Sequence, residues 1–281
     1  MGSRSVIVTG AARGLGHAMA EVLRIAGHDV LAVDRDALSA RDFAAGAGRL
    51  ETLSIDLAID DAADRILADC QSRFGRIEGL VSCAGIGQET ISADFVTKPV
   101  NFWTVDDRDW DRIFAVNLRA AFRLCRAAAP HMVAAGWGRF VIVTTSLETM
   151  IRVGMVPYGP SKAALEAMAA IMAKELEGTG VTSNVLVPGG PANTRMMPNI
   201  PEPQRSMLVQ PDVMRAPVTW LMSDEADGIN GMRFRANAWD DSLPGPESAK
   251  VAGAPAAWAG IQGGAAKVAG RNEPITSGGV S

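Results

Sequence analysis

The stretch Ser5-Val6-Ile7-Val8-Thr9-Gly10-Ala11-Ala12-Arg13-Gly14-Leu15-Gly16 decides the fold. Residues 5–9 are a β-branched run that stops at a glycine, which reads as a buried strand. From Gly14 to Ala26 the period changes. Leu15, Met19, Val22, Leu23 and Ala26 share one helical face, and Gly27 follows where a helix ends. A strand, a glycine-rich turn and a helix therefore meet within a dozen residues. Gly10, Gly14 and Gly16 let the backbone turn tightly and approach a pyrophosphate. The helix N-terminus offers free N–H groups and the positive end of its dipole.

The same alternation continues outward. Strands are expected at Asp29–Asp34, Leu50–Ile55, Ile77–Ser82, Arg139–Thr145, Val181–Val187 and Met232–Asn237. Helices are expected near Asp36–Ala45, Ile59–Phe74, Asp106–Ala135, Pro157–Glu177 and Pro211–Met222. Apolar strands alternating with helices predict an α/β fold: a Rossmann-like, doubly wound, seven-stranded parallel sheet with helices on both faces. One catalytic domain over 1–240 accounts for this pattern. Residues 188–211 carry six prolines and three methionines, Met196, Met197 and Met207, and read as a loop over the substrate. Residues 241–281 are rich in Gly, Ala, Ser and Pro and read as an irregular tail.

Composition narrows the class. At 281 residues with 48% hydrophobic side chains, the chain can bury a core without disulfides or metals. Its formal charge of −4 argues against nucleic acid as the partner. Cys70, Cys83 and Cys125 are scattered, and His17, His28 and His131 lie at no ligand spacing, so neither a disulfide framework nor a metal site is expected. No run is long and apolar enough for a membrane span, and no signal peptide is legible. The default expectation is a reducing, cytoplasmic location.

Two further features carry chemistry. Asp34 ends the second strand, where a carboxylate can accept hydrogen bonds from a ribose and would repel a 2′-phosphate. This favours NAD over NADP, although Arg13 and Arg35 are cations that could blunt the preference. Tyr158-Gly159-Pro160-Ser161-Lys162 contains the only tyrosine. On a helix, positions i and i+4 share a face, so the ammonium can lie beside the phenol. A phenol of pKa about 10 is a poor base. Stabilising the phenolate by roughly 4 kcal/mol would make it a general acid/base near neutrality. A strand ending in Thr144-Thr145-Ser146 precedes it and supplies hydroxyls.

Together these residues resemble the short-chain dehydrogenase/reductase family in its compact branch. The resemblance rests on TGxxxGxG at Thr9–Gly16, Asp34, Asp56-Leu57, Cys83-Ala84-Gly85, Asn117, the hydroxyls at 144–146, Tyr158 with Lys162, and Pro188-Gly189. It spans about residues 5–240. It implies an NAD(H)-dependent oxidoreductase that interconverts a secondary alcohol and a ketone. Under it, Tyr158 exchanges the proton with the substrate oxygen. Lys162 binds the nicotinamide ribose and lowers the tyrosine pKa. Asn117 holds a water linking Lys162 to solvent. Gly10, Arg13, Gly14, Leu15, Gly16, Asp34 and Arg35 face the adenosine and phosphates. Asp56, Leu57, Cys83, Ala84 and Gly85 shape the adenine pocket. Pro188, Gly189 and Thr194 flank the nicotinamide. Glu148, Arg152 and Met196 are candidate substrate contacts. A homodimer or homotetramer acting on a small alcohol or ketone is implied.

The chain also departs from the pattern. Ser82-Cys83 stands where two asparagines are usual, which removes a polar brace. Spacing points to Thr145 as the catalytic hydroxyl, residue type to Ser146, and the sequence does not separate them. The connection from Gly85 to Asn117 is long and carries Phe95, Phe102 and Trp103. A rival reading is a dinucleotide-binding regulatory or structural subunit without turnover. A cofactor-assisted lyase or epimerase is disfavoured by the glycine spacing.

Overall fold

A computed structural model describes residues 2–258 of the chain. The expected strands form as β1 (Ser5–Thr9), β2 (Asp29–Asp34), β3 (Leu50–Ser54), β4 (Gly79–Ser82), β5 (Gly138–Val143), β6 (Val181–Val187) and β7 (Met232–Arg235). An eighth, β8 (Gly253–Pro255), was not expected. The sheet order is β3-β2-β1-β4-β5-β6-β7-β8. Seven strands are parallel, and β8 pairs antiparallel with β7, Arg233 opposite Ala254. The order reverses between β1 and β4, so the strand ends there diverge and leave a crevice.

Both faces of the sheet are covered, which is why the strands are almost wholly apolar. On one face Ile7, Leu31 and Val33 pack with α2 (Ala62–Phe74), α4 (Ala120–Ala135) and α6 (Tyr158–Glu175). On the other, Val6, Val8, Val30 and Ala32 pack with α1 (Gly14–Ile25), α7 (Arg215–Leu221) and α8 (Gly245–Ala252). Successive residues of β1 thus serve opposite cores, as the pleat requires.

Three expectations need correction. The helix at Asp36–Ala45 does not form beyond one 3₁₀ turn at Ala40–Asp42. That segment is instead pressed onto α1. Phe43 stacks on His17, the Ala44 N–H donates to Glu21 at 2.8 Å, and Arg24 donates to the Ala44 carbonyl at 3.0 Å. The long helix divides into α3 (Asp107–Phe114) and α4, joined by a π turn at Ala115–Arg119 that contains Asn117. The tail is not irregular throughout: α8 and β8 close the sheet edge, while 259–281 lie outside the described residues. Segment 188–211 is a loop with one 3₁₀ turn at Gln204–Met207, tied across its ends by a bridge between Ala192 and Val209.

A buried polar strap crosses the sheet beneath α5 (Leu147–Met150). Arg233 on β7 pairs with Glu166 on α6, and both are buried. Arg233 also donates to the Thr145 carbonyl at 2.6 Å. Glu166 accepts from Thr144 at 2.8 Å and from the Ala257 N–H at 3.1 Å. Removing one partner leaves the other charge buried and uncompensated. Glu166→Ala is therefore expected to cost about 3–5 kcal/mol in urea unfolding. A loss under 1 kcal/mol would mean that the pair is not buried as described.

Candidate active site

A cleft of about 550 Å³ opens at the carboxyl ends of the parallel strands. One end is built by the glycine turn. Gly10 has φ +72°, and a β-carbon there would lie 2.9 Å from the Ala84 Cα. A β-carbon on Gly16 would lie 2.1 Å from the Gly10 carbonyl oxygen. A β-carbon on Gly14, at φ +58°, would lie 3.1 Å from the Thr194 methyl. No acidic side chain occupies the first turn of α1, and its first residues, Gly14, Leu15 and Gly16, line the cleft.

Asp34 lines this end. Its carboxylate accepts from the Ala12 and Asp36 N–H groups, each at 3.0 Å, and so ties the turn to β2. Arg13, Arg35 and Arg195 gather around the neighbouring Asp36, Arg13 in direct contact. Leu15, Asp56 and Leu57 line the cleft as expected. The brace that Ser82-Cys83 lacks comes from Thr9. Its hydroxyl accepts from the Cys83 and Ala84 N–H groups, each at 3.1 Å, joining β1 to β4. Burial pushes the Cys83 thiol up to about 12, so it is a packed group and not a thiolate.

At the other end Tyr158 opens α6, with Lys162 one turn on. Burial pushes the phenol up to about 12, with the Thr145 hydroxyl pulling the other way. Burial brings Lys162 down to about 8, and its ammonium donates to the Val143 carbonyl at 3.1 Å. Lys162, expected from the spacing to lower the phenol, is not among the groups that shift it; burial, with Glu89 and Cys83, raises it against Thr145. Asn117 converges on the same place. It accepts from the Ile86 N–H and donates to the Ile86 carbonyl, both at 2.9 Å, and donates to Ser161 at 3.0 Å. The side chain is therefore a clasp between α6 and the strand-β4 loop. A β-carbon on Gly85 would lie 3.2 Å from Asn117 Oδ1 and 3.3 Å from Lys162 Nζ.

The two candidate hydroxyls separate. Thr145 lines the cleft. Ser146 does not; it caps α5, accepting from the Thr149 N–H at 3.1 Å. Pro188, Thr194, Arg152 and Met196 line the cleft. Gly189 and Glu148 do not. Gly189 is turned against Asn237, where its missing β-carbon would collide with the amide oxygen at 1.8 Å. Glu148 projects from α5 to solvent, its carboxyl lowered by its own N–H and by Ser146. Phe95 reaches the cleft, whereas Phe102 and Trp103 are exposed. Gln88 and Glu89 line it too, and sequence reading missed them. The unusual length of the Gly85–Asn117 connection was their only signal.

The family model for short chain dehydrogenase matches residues 4–205. The chain is 34% identical over 187 residues to the short-chain reductase protein NovJ of Streptomyces niveus, covering 65% of this chain and 67% of that one. It is 28% identical over 243 residues to the 3-oxoacyl-(acyl-carrier-protein) reductase FabG of Escherichia coli, covering 82% and 94%. A crystal structure from Beutenbergia cavernae superposes with a TM-score of 0.71 at 28% identity, covering 84% and 95%. That protein is described as an NAD(P)-dependent gluconate 5-dehydrogenase with NADP bound at low occupancy. With the glycine cradle, the buried tyrosine–lysine pair and the parallel sheet in place, this chain belongs to the short-chain dehydrogenase/reductase family of oxidoreductases.

Proposed function

We propose that the protein interconverts a secondary alcohol and a ketone, using NAD(H), with Tyr158 as the group that exchanges the proton. The observation that carries this is the placement of Tyr158, Lys162 and Thr145 at one end of a cleft whose other end is the glycine cradle. A dinucleotide fits the residues present. Gly10 and Gly16 leave no space for β-carbons, so the turn closes tightly and the N-terminus of α1 borders the cleft, where free N–H groups can meet phosphates. Gly10, Arg13, Gly14, Leu15 and Gly16 would hold the pyrophosphate, and Asp34 and Arg35 the adenosine ribose. Asp56, Leu57, Cys83, Ala84 and Gly85 would bound the adenine side, with Lys162, Pro188 and Thr194 at the nicotinamide. When bound, the nicotinamide supplies or accepts the hydride.

The chain supplies position and the proton. Thr145 orients the substrate oxygen against the Tyr158 hydroxyl. A phenol near 12 stays protonated through the neutral range, which suits it to donate a proton to a ketone oxygen. The Lys162 ammonium then steadies the phenolate left behind. Asn117 is a positioning residue: it holds the loop at Ile86 against Ser161. The reading includes a cytoplasmic location. No helix among the described residues is long and apolar enough to cross a membrane.

Asp34 supports a preference for NAD, since its carboxylate disfavours a 2′-phosphate. The guanidinium groups of Arg13, Arg35 and Arg195 act in the opposite sense, but Asp36 sits among them. Assembly as a homodimer or homotetramer is proposed through α4 and α6. Phe122 and Val133 on α4 and Ile171 on α6 are exposed, at 47%, 41% and 56%.

Fluorescence titration should show NADH binding more tightly than NADPH, and Tyr158→Phe should retain that binding. Turnover of secondary alcohols should fall about 10²- to 10⁴-fold in the variant. Binding with no Tyr158-dependent turnover would favour the non-catalytic subunit. In pH profiles, ketone reduction should stay level below about 8 and fall above it, as the Lys162 ammonium is lost. Alcohol oxidation, which needs the phenolate, should peak at higher pH; a reduction rate that climbs with pH contradicts the assignment. Light scattering should give a mass of two or four chains, shifting to one when Phe122 and Ile171 are both replaced by Asp.

A further inference from the structure

The substrate end of the cleft holds two buried acceptors with nothing to accept. Gln88 is 1% exposed and donates through Nε2 to the Val156 carbonyl at 2.9 Å. A carbonyl can take a hydrogen bond only from the nitrogen end of the amide, so that bond sets its orientation. The Gln88 Oε1 is then the free end, and it has no hydrogen-bond partner among the described residues. Its neighbour Glu89 accepts from the Gly87 N–H at 3.1 Å through Oε1. The Glu89 Oε2 is buried and likewise without a partner among the described residues.

Both side chains line the cleft that contains Tyr158. A β-carbon built on Gly87 would lie 2.6 Å from Glu89 Oε2 and 3.5 Å from Tyr158 Cδ2. The carboxylate and the phenol ring therefore flank one point. Among the described residues, no cation forms an ion pair with Glu89. Arg112 is held by Asp109 and the Thr90 carbonyl, and Arg195 by Asp36. Burial raises the Glu89 carboxyl; the Gly87 and Glu89 N–H groups, and after them Arg112 and Arg195, act against it.

A buried acceptor left unpaired is costly, and two on consecutive cleft-lining residues ask for donors. A carboxylate or phosphate on the ligand would add a like charge or a third acceptor. A hydroxyl can donate to one of these atoms, and a protonated amine carries donors enough for both. The walls around them, Phe95, Val96, Met155 and Met197, are apolar and suit a carbon skeleton.

We infer that Gln88 and Glu89 determine specificity, and that the substrate carries a second hydrogen-bond-donating group, a hydroxyl or an amine, close to its reacting carbinol carbon. This rests on the alcohol–ketone reading above. It excludes substrates whose only second polar group is an anion, and it makes simple monoalcohols poor substrates.

The test uses the full chain with whichever of NAD+ or NADP+ binds more tightly. Butane-2,3-diol, pentane-2,4-diol, 3-aminobutan-2-ol, butan-2-ol and 3-hydroxybutyrate are compared by kcat/KM. The diols or the amino alcohol should exceed butan-2-ol by about 10- to 100-fold, with 3-hydroxybutyrate lowest. Which donor wins distinguishes hydroxyl from amine. Glu89→Gln should reduce the ratio of the best donor-bearing substrate to butan-2-ol by about 10-fold, mainly through KM. NADH affinity and Tm should not move. Gln88→Leu should reduce the same ratio, independently of the charge. A wild-type preference for butan-2-ol or 3-hydroxybutyrate overturns the inference, as does a donor preference that survives Glu89→Gln. If butan-2-ol is oxidised in a Tyr158-dependent way, the dehydrogenase reading stands while the inference falls. If none of the five is oxidised and Tyr158→Phe behaves as wild type, both fall.

Discussion

The contact between Gly10 and Ala84 is the constraint on which the site depends. A β-carbon at Gly10 has no room, because the end of β4 lies against the turn after β1. Thr9 locks the two strands there by accepting from both Cys83 and Ala84. The adjacent strands can therefore end level, and the crevice at the reversal of strand order is narrow and lined with backbone. Everything along the cleft takes its position from that edge: the α1 N-terminus on one side, Gly85 with Asn117 and Lys162 on the other.

The far end is governed by burial. Tyr158 and Lys162 are both removed from water, which drives each toward its neutral form. A protonated phenol one helix turn from an easily discharged lysine suits the proton donation proposed for Tyr158. The cost of holding it is met by packing on α6 and by the Val143 carbonyl. The Arg233–Glu166 strap keeps the strand end that presents Thr145 in register with that helix. It also explains why β8 matters, since the Ala257 N–H that follows β8 completes the shell of Glu166.

Both ends obey the same rule about polar groups. Where the protein itself closes the hydrogen bonds, as at Asn117 and Glu166, the side chain is a clasp. At Gln88 and Glu89, which line the cleft, an acceptor stays open, and the inferred donor of the substrate would close it. The family likeness extends over the dinucleotide half and the tyrosine–lysine pair. The long connection between Gly85 and Asn117 supplies Gln88, Glu89 and Phe95 to the cleft wall.

The order of strands and helices, the glycine turn and the tyrosine–lysine pair were legible in the sequence. Each is encoded locally, by a hydrophobic period, by a glycine needed for φ above zero, or by spacing along one helix turn. Other features depended on what packs against them. Nothing local marks Asp36–Ala45 as non-helical; α1 side chains take its backbone hydrogen bonds instead. Nothing local distinguishes Thr145 from Ser146 until α5 needs a cap. The Lys162 spacing predicted a depressed phenol, but desolvation is a property of the assembled core and reversed the sign. Asn117 and the hydroxyl of Thr9 bond to partners 31 and 74 residues away, and Arg233 reaches its carboxylate across 67. The sequence alone determined the seven parallel strands, most of the helices and the local motifs, because those follow from neighbours in the chain. Only the tertiary structure decided which polar atoms are satisfied and which are left for a ligand, because burial and hydrogen-bond closure arise between segments far apart in sequence.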